Sequence, residues 1–236
     1  MAFVIPAPSP PSVAVLGTSD RFPIRRIFCV GRNYAAHAEE MGHNGREAPF
    51  FFCKPADSVV DDGAVIPYPP DTHDLHHEVE LVIALKSGGA AIPAERARGH
   101  IWGAAVGVDL TRRDRQAEAK AKGRPWAFGK AFDRSAPIGP LRLLEPSMAL
   151  GAGRIALSVN GTVRQEADLA EMIWAAPDII AQLSRSIALA PGDLIMTGTP
   201  AGVGPLSVGD HVACAVAGVG DLTFSVGPKF QRAPSA

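Results

Sequence analysis

The amino-acid sequence predicts an α+β fold, mostly β, and three features carry that expectation. Short apolar runs stop at Gly, Pro or Asp, as buried strands do. An Asn160-Gly161 pair lies between two alternating segments, a strong short-range hairpin signal. Strands outnumber helices and come in runs, without the regular strand–helix alternation of a doubly wound sheet.

Taken in order, residues 1–25 are rich in Pro and Ser and lack helical periodicity, so an extended arm or small cap is expected. Residues 27–31 form a buried strand ending on Gly31. Arg32-Asn33-Tyr34 then leads into AAHAEEM, a good helix former closed by Gly42. Residues 49–54 are apolar and aromatic; 55–76 read as loops around a short strand at 64–66. Residues 78–85 (EVELVIAL) look like a central strand and 103–110 like a second, followed by a polar helix over 111–122. Segments 155–159 and 162–166 flank the Asn-Gly turn. Ile179, Ile180, Leu183 and Ile187 mark one face of an amphipathic helix over 177–187. A buried strand at 194–196 and a hairpin over 210–226 complete the chain. No internal repeat is evident, so 26–229 is expected as one catalytic domain and 230–236 as a tail.

With 236 residues the chain can bury roughly 70% of its unfolded surface. Its formal net charge is −1, without a basic stripe, which argues against nucleic-acid or anionic-membrane partners. Cys29, Cys53 and Cys214 are far apart and odd in number, so neither a disulfide framework nor a zinc site is suggested. The proline-broken N-terminus lacks a basic leader, and no stretch approaches the ~20 apolar residues that span a bilayer. A cytoplasmic location is expected.

The oddest feature is Glu78 and Glu80 inside an otherwise buried strand. Positions two apart share a face, and paired buried carboxylates repel. A divalent cation with a taste for hard oxygen ligands resolves this; a wet sheet face is the alternative. Asp109, ending the second strand, adds a third carboxylate, and His76 and His77 stand ready as ligands or hydrogen-bonding neighbours. His37 and Glu40, three apart on a helix, suit a general-base dyad, or equally an exposed surface pair. Arg113, Asp114 and Gln116 follow Asp109 closely, and the cationic and amide groups of Arg113, Gln116 and Lys130 suit a carboxylate substrate and a developing enolate. The Gly-rich TGTPAGVG loop (197–204) lacks the lysine and spacing of a nucleotide site.

Together VGRNYAAHAEEM, FFFCKPAD, HHEVELVIAL, GVDLTRRDRQ, PWAFGKAFD, VNGTVRQEA and GDLIMTGTPAGVGPL, in that order, resemble the fumarylacetoacetate hydrolase family over about residues 26–226. The resemblance implies a rolled mixed β-sheet with peripheral helices and a homodimer. It implies Mg²⁺ or Mn²⁺ held by Glu78, Glu80 and Asp109, with water activated by His37 and Glu40 and with Lys130 as the active-site lysine. Arg32, Arg113, Gln116, Thr199 and Lys54 are then expected on the substrate side. The implied activity is cleavage of a carbon–carbon bond in an acylpyruvate, a diketo acid such as fumarylpyruvate. Relatives on the same scaffold decarboxylate or tautomerise oxaloacetate or isomerise unsaturated dicarboxylates. A second substrate carboxylate needs a cation, for which Arg32, Arg46, Arg112 and Arg124 are the candidates.

Overall fold

The protein is described by a computed structural model covering residues 3–36 and 48–229. Two sheets dominate. The first runs, in spatial order, Arg142–Leu143, Ile101–Val108, Val79–Leu85, Asp193–Met196, Arg26–Gly31 and Phe50–Lys54; only Asp193–Met196 and Arg26–Gly31 pair in parallel. Val79–Leu85 is buried at every position, which explains its apolar run, interrupted only by Glu80. The second sheet runs Thr162–Asp168, Arg154–Val159, His211–Val216, Gly220–Lys229 and Ala64–Tyr68.

Strand alternation sorts the core into two layers. Leu81, Ile83 and Leu85 join Leu157, Val212 and Phe224 between the sheets. Val82 and Ala84 face the other way, into a cluster with Ile27, Leu194 and Met196. Val13, Phe22 and Ile24 complete that cluster. Val13 and Phe22 come from the hairpin of Ser12–Ala14 and Arg21–Pro23, and Ile24 follows it; the expected arm takes this form. By the same alternation Glu80 points to the side of Val82 and Ala84.

Several expected boundaries move. The central strand begins at Val79, because Leu75–His77 belongs to a separate small sheet between Thr111–Arg112 and Gly204–Leu206. Glu78 therefore sits at the junction of two sheets. The polar helix starts at Arg113 and runs to Ala121, since Thr111 and Arg112 are used as a strand. The Asn-Gly hairpin is present, with both turn residues left-handed (φ 51° and 77°), as a tight turn of this twist demands. The amphipathic helix spans Ala176–Ser186 and buries Ile179, Ile180 and Leu183. The expected helix bearing His37 and Glu40 lies outside the described residues. Among the described residues no helix is long and apolar enough to cross a membrane.

Candidate active site

Two adjacent strands bring three carboxylates together. Val79 pairs with Val108 and Glu80 with Gly107, and the Asp109 N–H donates to the Glu78 carbonyl at 2.8 Å. A Cβ at Gly107 would stand 2.6 Å from Val82 Cγ2, so only glycine lets the strands close beside Glu80. Oxygens of Glu78, Glu80 and Asp109 lie within 4.8 Å of one another, and all three residues are buried.

Cations offset this charge. Lys130 Nζ donates to Glu78 Oε2 (2.6 Å), Asp109 Oδ2 (2.7 Å) and Thr111 Oγ1 (2.7 Å). Burial alone would lower its pKa, but Asp109 and Glu78 outweigh burial and hold it above the ordinary lysine value. Arg113 Nη2 donates to Glu78 Oε1 at 2.5 Å. Lys54, expected on the substrate side, lies instead behind Asp109. Its ammonium is fully buried, donates to the carbonyls of Leu110 and Lys130, and approaches Asp109 Oδ1 to 2.8 Å.

Glu80 is the least compensated member. It accepts a hydrogen bond from the Gly198 N–H at 2.7 Å. Burial, then Asp109, then Glu78 push its pKa well above the ordinary carboxylate value. Asp109 Oδ1, despite its ion pair with Lys54, accepts no directed hydrogen bond. Three buried carboxylates with oxygens within 4.8 Å of one another, one of them short of compensation, fit a divalent cation bound by hard oxygen ligands.

A consequence follows for pH. The folded state raises the Glu80 pKa, so Glu80's contribution to stability is complete below the unfolded carboxylate value. That contribution is lost as pH rises through the folded one. A cation must displace this proton. Mn²⁺ affinity, measured by calorimetric titration in buffers of different ionisation enthalpy, is expected to strengthen from acidic to neutral pH with proton release. A pH-independent affinity with no proton released would refute it.

The 197–204 loop reaches the site through residues that the sequence did not single out. Strand Thr162–Asp168 is bulged opposite Leu157/Ser158, pairing Ser158 with Val163 but Leu157 with Gln165. The bulge breaks the alternation, so Val163 is half exposed while Gln165 is 1% exposed. Gln165 Oε1 meets His77 Nδ1 (2.9 Å) and accepts from the Val79 N–H (3.1 Å). Its Nε2 donates to Thr199 Oγ1 (2.8 Å) and the Pro200 carbonyl (2.9 Å). His77 therefore carries its proton on Nδ1, and Thr199, already an acceptor, keeps its own hydroxyl hydrogen for another partner. Asn33 anchors the loop's start by donating to the Thr197 carbonyl at 2.7 Å. Gln165→Leu strands two buried donors and is expected to cost about 3 kcal/mol, read as a lower melting temperature. A variant as stable as the wild type removes this account.

The cleft over the carboxylates is walled by Val30, Gly31, Phe50, Phe52 and Trp126. Arg32, Arg113, Gln116, Lys130 and Thr199 also line it. Arg113 is already engaged: besides Glu78 it donates to Gln116 Oε1 (2.6 Å), and His76 Nδ1 lies 3.4 Å from its Nε. His76 Nε2 in turn meets Asp74 Oδ1 at 2.8 Å, so this histidine braces the arginine. Lys120 lines the cleft as well; on a polar helix among many charges, nothing in the sequence marked it.

A buried oxygen-ligand trio in a mostly β fold, compensated by a buried lysine and opening on a cationic cleft, defines a divalent-metal enzyme site. The fumarylacetoacetate (FAA) hydrolase C-terminal family model matches residues 26–227, and the chain belongs to that family. A fumarylpyruvate hydrolase from Pseudomonas aeruginosa, solved with Mn²⁺ and pyruvate, is 46% identical with a TM-score of 0.94; the match covers 97% of this chain and all of that one. The mitochondrial oxaloacetate tautomerase of Mus musculus is 41% identical, over 86% of this chain and 91% of its own. The mitochondrial oxaloacetate decarboxylase of Dictyostelium discoideum is 38% identical, over 86% of this chain and 94% of its own.

Proposed function

We propose that this chain hydrolyses acylpyruvates with the help of Mg²⁺ or Mn²⁺, fumarylpyruvate giving fumarate and pyruvate. The observation that carries the reading is the buried Glu78–Glu80–Asp109 trio with Lys130 across two of its members. The likeness to the Pseudomonas enzyme supports it. Glu78, Glu80 and Asp109 would hold the cation, which would supply Lewis-acid chemistry at the keto-acid end of the substrate.

The protein's own groups do the rest. Thr199 donates its free hydroxyl hydrogen to the pyruvyl carboxylate, fixed in that direction because Gln165 occupies its lone pair. His37 and Glu40, to which the family resemblance gives water activation, take a proton from water, which attacks the distal ketone carbon. Collapse of the tetrahedral carbon breaks the C–C bond, and the electron pair leaves with the pyruvate unit. The Lys130 ammonium stabilises negative charge on that leaving group, while Gln116 and Arg113 orient it.

A second reading, decarboxylation or tautomerisation of oxaloacetate, is favoured by the identity to the mouse and Dictyostelium proteins. Such chemistry needs no water-activating base. Diketo-acid absorbance is therefore followed with acetylpyruvate and fumarylpyruvate, with oxaloacetate in parallel, each with Mg²⁺ and with chelator. A metal-dependent fall for the acylpyruvates supports hydrolysis; turnover of oxaloacetate alone overturns it.

A further inference from the structure

The mouth of the cleft carries a feature that the metal chemistry does not use. Arg32, Phe50, Phe52 and Trp126 line both the inner cleft and an outer recess that continues past Arg124 and Pro125. The aromatic part is a connected wall: Phe50 meets Trp126 edge-on at 5.2 Å, and Phe52 lies 5.9 Å from Trp126. Phe52 also lies under the Lys130 ammonium, at 5.2 Å. The wall thus leads from the reacting end outward. Among the described residues lining this path, the only acids are the three buried ones, while Arg32, Lys120 and Arg124 are all basic.

Two of those cations are unspent. Acids elsewhere on the Lys120 helix are taken: Glu118 binds Lys122 (2.6 Å) and Arg115 (3.3 Å), and Asp114 accepts from Thr72. Among the described residues neither Lys120 nor Arg124 has a side-chain hydrogen bond or ion pair. Arg112 is excluded from the path, since its guanidinium stacks 4.4 Å above Phe132 and lines neither cavity.

Resting on the acylpyruvate reading, we infer that Lys120 and Arg124 form a distal anion receptor for a carboxylate at the far end of the acyl chain. The flat aromatic wall suits a planar, conjugated chain between the two ends. The preferred substrate class is then a dicarboxylic acylpyruvate, and a charged acyl terminus outcompetes a methyl one.

The test compares fumarylpyruvate with acetylpyruvate, which lacks the second carboxylate, in Lys120→Met, Arg124→Gln and the double variant at fixed Mg²⁺. The ratio of kcat/KM for the two substrates is expected to fall about tenfold or more in the double variant. The loss should lie in KM, and Lys120→Arg should retain the preference. An unchanged ratio, or equal losses on both substrates, overturns the receptor. If the wild type cleaves neither acylpyruvate, the hydrolase reading fails by itself, and the receptor is judged by binding. Fumarate should then bind the wild type more tightly than crotonate, by calorimetry, with the preference lost in the double variant; equal binding overturns it.

Discussion

Glu78→Gln is expected to lower metal-dependent turnover by about 100-fold or more, because even outer partners of metal ligands cost roughly 10–100-fold when removed and Glu78 is placed among the ligands themselves. The geometry makes this carboxylate hard to imitate. Oε1 accepts from Arg113 and Oε2 from Lys130, so both oxygens face cationic donors. A glutamine satisfies one of them and turns its NH₂ against the other, while the trio loses a charge. Mn²⁺ titration should show weaker binding, and the absorbance assay should need far more metal. Turnover and chelator sensitivity matching the wild type would remove Glu78 from the site. The melting temperature of the metal-free variant controls for misfolding.

Legibility in the sequence followed local physics. The central strand, the Asn-Gly hairpin and the Ala176–Ser186 helix were readable because each rests on a periodicity or a turn preference acting over a few residues. The carboxylates were readable as an anomaly only, since two acids at i and i+2 in an apolar run also suit a wet sheet face, and Asp109 ending the second strand is what favoured a metal. Gln165 was not readable. Alternation groups it with Val163 and Ala167, but the bulge leaves Val163 half exposed, and a lone glutamine in a polar strand carries no mark of its partners His77, Val79, Thr199 and Pro200. Lys54 was readable as near the site but not as behind it, because a buried lysine and a substrate-facing lysine look alike in a string of letters. The junction at Glu78 was missed for a related reason. Leu75–His77 has only one apolar residue, falls mostly in a stretch that reads as loop, and becomes a strand only through the partners Thr111–Arg112 and Gly204–Leu206, which are distant in sequence.

Lys130→Met separates the lysine's structural role from its chemical one. The ammonium is within 2.7 Å of two buried carboxylates, and removing one partner of such a cluster leaves charge uncompensated. The metal-free variant is expected to lose about 3 kcal/mol, seen as a melting temperature lower by roughly 6–12 °C for a chain of this size. A divalent cation binds only the folded form and adds about 2.7 kcal/mol at a hundredfold excess over its dissociation constant. It also supplies positive charge where the ammonium was lost. Mg²⁺ should therefore raise the variant's melting temperature more than the wild type's. Turnover should stay low under the same conditions, by about 10²–10³-fold, because a group stabilising charge in the transition state has gone. Stability restored without activity assigns Lys130 both roles. Activity restored together with stability reduces it to a counter-ion of the carboxylates, and full activity without metal rescue shows that it does neither.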